Sequence, residues 1–356
     1  MLKGNEIARY LDSFKHRAVN LLWRGGEMEF PFLNVPHVRF CEAMGFESRQ
    51  VTPALREVVP GALPDRAALD ALTSRRYFDP ELIKAELKKL EKMKKRPGLH
   101  GGGSFGPLTV ASDILGCDRM LRLTVKEPSF VEDLAAYAAE CIVRLAEEEA
   151  AHGAEFFWVA EPCASLLAPE NFTRFSGNHL RRIFEGCGVP GFLHVCGKTL
   201  RHTPYMEQTG AQVISIDSLT DIGDCIRMLS PNTVLMGNVD VMLLRYGTPE
   251  EIEKAVFDIC RECENFQNLV LSSGCGCVDG TPAENFRAVF DAAAAFPSRS
   301  ADEYRIIREH IALELGGNAD PAHTSGNPET DAAARLEAQK IRAVREWYNK
   351  TRGRAK

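Results

Sequence analysis

A chain of 356 residues with 45% hydrophobic and 26% charged residues has an ordinary globular composition, long enough for one large α/β barrel or two smaller domains. Its net charge of −6 and pI of 5.9 point away from a basic nucleic-acid surface, and no stretch approaches the roughly 20 apolar residues of a membrane span. The polar start MLKGNEIARY has no apolar signal core and the 11 cysteines are an odd number, so free thiols in a reducing cytoplasm are expected rather than a disulfide framework.

In chain order, the first 97 residues are the least regular. Val19–Trp23 reads as a first strand, Phe30–Pro36 as an irregular loop, and Asp79–Arg96 as a Lys/Glu-rich helix solvated on one side. Leu99–Thr109 begins like a strand and runs into a glycine-rich loop. Gly101–Gly106 lacks the spacing of a phosphate or dinucleotide motif, so close packing is its default role. Short apolar runs then follow at Phe156–Ala160, Gly191–His194, Val213–Asp217, Val234–Val239 and Leu269–Ser272, rich in branched and aromatic residues. They read as parallel strands buried on both faces. Between and after them, Pro169–Gly186, Leu200–Gly210, Ile222–Leu229, Pro249–Phe266 and Pro282–Ala295 read as helices. Thr248-Pro-Glu-Glu251 and Thr281-Pro-Ala-Glu284 each offer a cap, a first-turn proline and an acid at the third helical position. Gly316–Pro328 reads as a linker, and about Glu329–Arg352 as a basic C-terminal helix.

Strand–helix alternation implies right-handed crossovers and a parallel α/β sheet, open and doubly wound or closed as a barrel. Periodicity does not separate the two. The polar groups of interest follow several different strands, and a barrel brings all such ends to one face, which favours a single (β/α)8 barrel. In that reading residues 1–97 are an irregular N-terminal segment contributing to barrel and pocket, 98–315 the main barrel, 316–328 the linker and 329–356 the C-terminal helix.

Two elements carry chemistry. In Leu193-His-Val-Cys-Gly197, His194 ends a strand and Cys196 lies two residues on, so imidazole and thiol share a side of an extended backbone while Gly197 lets the chain turn away. In Ser272-Ser-Gly-Cys-Gly-Cys277, glycines on both sides of Cys275 allow a sharp turn at another strand end. Taken singly, either element is more simply read as core, because buried cysteine usually behaves as a small hydrophobe. Together, His194, Cys196 and Cys275 make a His/Cys/Cys set suited to zinc, with a fourth position open for substrate.

These motifs sit in a chain that, from about Leu99 to Ala294, resembles the uroporphyrinogen decarboxylase superfamily of single TIM barrels. The matching stretches are Gly103-Ser-Phe-Gly-Pro-Leu-Thr-Val-Ala111, Glu161-Pro with Ala168-Pro-Glu-Asn-Phe172, Leu193-His-Val-Cys-Gly197, Met236-Gly-Asn-Val-Asp240, and Gly274-Cys-Gly with Gly280-Thr-Pro-Ala-Glu-Asn285. His-x-Cys with Gly-Cys-Gly, Cys196 and Cys275 being 79 positions apart, is similar to the zinc-dependent corrinoid methyltransferases of that superfamily, such as the methylcobamide:coenzyme M enzymes. The resemblance implies His194, Cys196 and Cys275 as zinc ligands and methyl exchange between a corrinoid (methylcobalamin) and a small methyl donor or acceptor, a thiol or a methyl ether. No Asp-x-His-x-x-Gly corrinoid motif occurs, so the corrinoid is expected on a partner protein. The decarboxylases' N-terminal arginine motif is replaced by Leu22-Trp-Arg-Gly-Gly26, and their C-terminal histidine segment is missing. Trp23 and Arg24 of that stretch become substrate-binding candidates.

Further candidates are weaker. Glu161 follows a strand and offers a fourth ligand or a general base, or a hydrogen bond to a helix start near Pro162. Asp217 is a candidate to orient His194 or contact substrate, and Asn238 to line the pocket or serve a turn. Cys277 is an alternative to Cys275 that alternation points elsewhere, and His202 reads as a surface or first-turn histidine. The competing readings are a metal-free decarboxylase-like lyase, whose cationic pocket would draw on Arg24 and Arg39, and a non-catalytic corrinoid-binding protein.

Overall fold

The computed structural model describes residues 20–23, 26–29, 32–52, 55–59, 61–75, 78–93, 100–230, 232–266 and 268–296. Its strands are β1 (Asn20–Trp23), β2 (Gly26–Glu29), β3 (Phe32–Asn34), β4 (Ser48–Thr52), β5 (Leu55–Val58), β6 (Gly101–Phe105), β7 (Phe156–Ala160), β8 (Gly191–Val195), β9 (Val213–Ile216), β10 (Val234–Val239) and β11 (Leu269–Ser273). One sheet has the order β2-β1-β11-β10-β9-β8-β7-β6-β3, and β4 and β5 pair as a separate antiparallel hairpin.

From β3 through β11 the neighbours are parallel and follow chain order. A doubly wound sheet reverses its order about a central crevice; this one winds in a single direction. Its ends are also tied. β2 is antiparallel to β1, which is antiparallel to β11, so β2 runs in the same sense as β3. Only residues 30 and 31 separate Glu29 from Phe32, which holds their Cα atoms within about 11 Å. Laid flat, the nine strands would put the ends of the order about 38 Å apart. The sheet is therefore closed. Counted as one interrupted strand, β2 and β3 join β6–β11 as the parallel strands, and β1 completes the wall antiparallel to its neighbours. The molecule is an α/β barrel of TIM type.

Strand alternation sorts the side chains into two layers. Phe156, Trp158, Phe192, Val213, Met236 and Val270 form the packed interior. The opposite faces of the same strands, Phe157, Val159, Leu193, Val195, Ile214, Ile216, Leu235 and Leu269, belong to the larger core that also holds the surrounding helices. Phe156 stacks on Phe192 with centroids 4.5 Å apart and makes an aromatic floor. Its bulk explains β6. The run Gly101–Gly103, expected as a loop, is buried strand. A Cβ on Gly101 would lie 2.2 Å from the Phe156 ring, and one on Gly102 would lie against the buried Glu149 carboxylate.

Phe32–Asn34, within the stretch expected to be an irregular loop, is likewise strand β3, because it finds a parallel partner in β6. Asp79 caps a short 3-10 turn that leads into the helix Lys84–Met93, with Leu87, Leu90 and Met93 turned inward. The run Pro169–Gly186 is continuous but contains a π turn at Thr173–Gly177. Thr248 and Glu251 form the expected capping box. Thr281 does not cap: its hydroxyl donates to the Val278 carbonyl at 2.6 Å, and the helix Ala283–Ala295 starts after Pro282. The expected linker and C-terminal helix lie outside the described residues. Among the described residues no helix is long and apolar enough to cross a membrane.

Gly101→Ala is expected to lower stability by about 1–3 kcal/mol, since the stacked Phe156 ring has no room to retreat. Urea unfolding measures it; an unchanged midpoint would show that the floor is loosely packed.

Candidate metal centre

β8 and β11 deliver the two cysteine elements to the same end of the barrel. His194 lies inside, 6% exposed, and Cys196 and Cys275 are half-buried above it. The His194 Nε2–Cys196 Sγ distance is 3.1 Å and the Cys196–Cys275 Sγ–Sγ distance 3.8 Å, and all the possible ligand atoms fall within 4.8 Å of one another. Tetrahedral coordination with bonds of about 2.3 Å separates two sulfurs by about 3.8 Å, so the donor set and its spacing fit zinc. Its electrostatics fit as well. The Cys275 thiol is held far below the usual thiol range, first by the hydrogen bond from Cys196 and then by one from His194. The same contact with Cys275, and burial, push Cys196 up. Two sulfurs this close readily lose one proton, but a second negative charge needs a cation beside it.

The backbone explains the convergence. After Cys196, Gly197 turns with φ +85°, a conformation that favours glycine. After β11, the Gly274 N–H donates to the Val239 carbonyl at 2.7 Å and the Ser273 hydroxyl to the Cys275 carbonyl at 2.8 Å. His194 is fixed from two sides. Its Nδ1 lies 3.0 Å from Ser215 Oγ on β9, and its ring stacks at 24° over Trp158. A metal between the sulfurs would take the Nε2 lone pair, with the Nδ1 proton donated to Ser215.

The remaining candidates go elsewhere. Asp217 does not reach His194: Oδ2 accepts the Gly197 N–H at 3.1 Å and Oδ1 the Leu219 N–H at 3.0 Å. The Asn238 amide donates to the carbonyls of Asp217 and Thr220 at 3.0 and 2.7 Å, the turn role rather than an open pocket-lining one. Trp23 pairs with Val270 near the start of β11, because β1 runs antiparallel. That places its backbone toward the end of the barrel opposite Cys275 and away from a substrate site at the mouth. Arg24 lies outside the described residues. Cys277 packs against the apolar cluster beneath the helix Ala283–Ala295 and stands outside the metal set. His202 is buried, not superficial, with Nε2 3.1 Å from the Leu167 carbonyl oxygen. No disulfide joins any of the 11 cysteines. Ser215 and Thr220 were not singled out in the sequence. Ser215 carried one signal, a polar residue on the inward parity of an apolar strand.

The uroporphyrinogen decarboxylase (URO-D) family model matches residues 42–296. The chain belongs to that family. Similar proteins include the methylated-thiol–coenzyme M methyltransferase of Methanosarcina mazei, 30% identical over 215 residues, covering 60% of this chain and 57% of that protein. The methylcobamide:CoM methyltransferase MtaA of Methanosarcina barkeri is 27% identical over 191 residues, covering 53% and 56%. A uroporphyrinogen decarboxylase of Prochlorococcus marinus is 26% identical over 175 residues, covering 48% and 49%. The chain thus spans about half the length of the curated relatives it matches. A solved methyltransferase from Methanosarcina mazei shares the fold with TM-score 0.60 at 23% identity, covering 76% of this chain and 81% of that one.

Within the URO-D barrel, Glu161 stands apart from the metal set. Its carboxylate is fully buried and accepts from the Leu108 and Thr109 N–H groups at 3.0 and 2.8 Å, from the Thr109 hydroxyl, and from Ser176 at 3.2 Å. Those amides are free donors at the start of the helix Pro107–Leu115, where Gly106 offers no side-chain cap. Glu161 therefore bonds a helix start, as its structural reading expected, but that of Pro107 rather than one near Pro162. Burial pushes its pKa up to about 7, against the pull of the four donors. Between an ordinary value near 4.5 and 7, the unfolded chain ionises while the folded one stays protonated, so stability falls as pH rises through that window. Glu161→Gln has no such ionisation. With chelator present, wild-type stability is expected to fall relative to the variant by on the order of 3 kcal/mol between pH 4.5 and 8, read from urea midpoints. Parallel curves would contradict this.

Proposed function

We propose that this chain is a zinc-dependent methyltransferase that moves a methyl group between a corrinoid carried on a separate protein and a small substrate, a thiol or a methyl ether. The observation that carries the reading is the convergence of one imidazole and two thiols at the barrel mouth. The names of the relatives supply the methyl and cobamide chemistry. His194, Cys196 and Cys275 would hold the metal. Zinc bound there would act as a Lewis acid, lowering a substrate thiol's pKa or polarising an ether oxygen.

The chain's own residues do the rest. Ser215 and Trp158 fix the His194 ring, so the donor geometry exists before substrate arrives. Phe156 and Phe192 close the barrel beneath, which keeps water from approaching through the floor. His194 is buried whereas both cysteines are partly exposed, so substrate reaches the centre from the sulfur side. The Ser272 hydroxyl is buried without a partner among the described residues, beside Asn238 in register, and is available to a polar group of the substrate. The decarboxylase-like reading has less support: Arg39 is exposed and paired with Glu42 rather than turned into a cationic pocket.

The test is elemental analysis of untagged protein, followed by methyl transfer from methylcobalamin to a thiol, read by the cobalamin visible spectrum. About one zinc per chain is expected, with His194→Ala and Cys275→Ala losing both the metal and the activity. Full activity in either variant, or a zinc-free wild type, would overturn the proposal.

A further inference from the structure

The two sulfurs sit on loops that follow β8 and β11, and the turn Asp217–Thr220 after β9 lies between those loops. On one side it grips the Cys196 turn. Asp217 Oδ2 accepts the Gly197 N–H, the Thr220 hydroxyl donates to the Gly197 carbonyl at 2.9 Å, and the same hydroxyl oxygen accepts the Thr199 N–H at 2.9 Å. On the other side it abuts the Cys275 turn: a Cβ on Gly274 would lie 2.5 Å from the Ser218 nitrogen, so the backbones pass in direct contact. Asn238 on β10 ties the turn down through both N–H groups of its amide, to the Asp217 and Thr220 carbonyls. Asn238 is 7% and Thr220 3% exposed, so the bond between them has no water to compete with it, and the bond to Asp217 is part-buried.

We infer that the turn Asp217–Thr220 is the spacer that sets the separation of Cys196 and Cys275, and that Asn238 is the positioning residue that holds this spacer. Asn238 touches neither metal nor substrate in this role; it acts through Gly197 and Gly274. Without its two donors, the spacer is free to shift and the sulfurs lose their common point before a metal arrives. The inference rests on the metal reading above and adds a residue to it.

The molecule contains its own control. Asn268, also buried, donates its amide to two carbonyls, those of Ser230 and Thr233 at 3.3 and 2.8 Å, but it precedes β11, at the end of the barrel remote from the cysteines. Metal-free full-length wild type, Asn238→Ala and Asn268→Ala are titrated with Zn2+ against a chromophoric chelator and with Co2+ by visible spectrum, alongside thermal midpoints. Asn238→Ala is expected to lose about 10–100-fold in zinc affinity and to shift the cobalt–thiolate bands. Asn268→Ala is expected to lower the thermal midpoint comparably while keeping wild-type affinity and bands. Thr220→Val, which keeps the shape and removes the tie to Gly197, is expected to weaken zinc binding too and serves should Asn238→Ala not fold. Wild-type affinity in both Asn238→Ala and Thr220→Val, or equal loss in Asn268→Ala, overturns the inference. A wild type that binds neither ion sinks the metal reading itself and the spacer with it.

Discussion

Everything at the mouth depends on the curvature of the sheet. β8 and β11 are separated by β9 and β10. On a flat sheet their axes would stand about 14 Å apart. The sulfurs that follow them are 3.8 Å apart. Only a closed wall, with inward residues converging on its axis, lets side chains from these strands share one point. Closure itself depends on the short connection between β2 and β3, which returns the end of the strand order to its beginning. The chemistry of Cys196 and Cys275 is in this sense a property of the whole barrel.

Curvature brings the donors together, and packing decides their direction. The interior is filled from below by Phe156, Phe192 and Trp158, so the inward residues one layer higher, His194 and Ser215, have an aromatic surface beneath them and the mouth above. That places a polar layer on an apolar base, where an imidazole hydrogen bond is worth more than in water and a second thiolate is costly without a cation. The loops above are knit strand to strand. The Glu161 N–H donates to the His194 carbonyl at 2.8 Å, and the Glu161 carboxylate supplies the missing cap of the helix Pro107–Leu115. One buried acid thus anchors the loops after β6 and β7 to the strand that carries His194. Its importance to the site is through the backbone, which explains why it follows a strand end yet stays out of the metal set.

The residues that were legible in the sequence are those whose constraint is local. Phe156–Ala160 and Val234–Val239 read as strands because both of their faces are buried, which forces uninterrupted apolar runs. His194, Cys196 and Cys275 stood out because their side chains need fixed spacing and flanking glycine. What was missed depends on distant partners. Gly101–Gly103 looks like a loop until Phe156 and Glu149 occupy the space where side chains would be. Trp23 looked like a pocket residue because its stretch stands where the decarboxylases carry their arginine motif, and the antiparallel course of β1 takes its backbone to the other end. Thr281 has the letters of a cap, yet its hydroxyl finds the Val278 carbonyl first.

Asp217 was singled out to orient His194 or contact substrate, and Asn238 to line the pocket or serve a turn; the hydrogen bonds of both go to backbone. Both lie at strand ends facing the mouth, which is where substrate contacts are sought in a barrel. Both carboxylate oxygens of Asp217 and both N–H groups of Asn238 are engaged by the backbone: the Gly197 and Leu219 N–H groups for Asp217, and the carbonyls of Asp217 and Thr220 for Asn238. A side chain with both donors already engaged in a buried site gains little by turning to a ligand, because each abandoned carbonyl would cost about 1–3 kcal/mol. Rigidity of the Cys196 turn is the more economical use of those groups. It leaves Ser272, buried and unengaged among the described residues, as a polar side chain of this layer with hydrogen-bonding capacity to spare for whatever enters from the sulfur side.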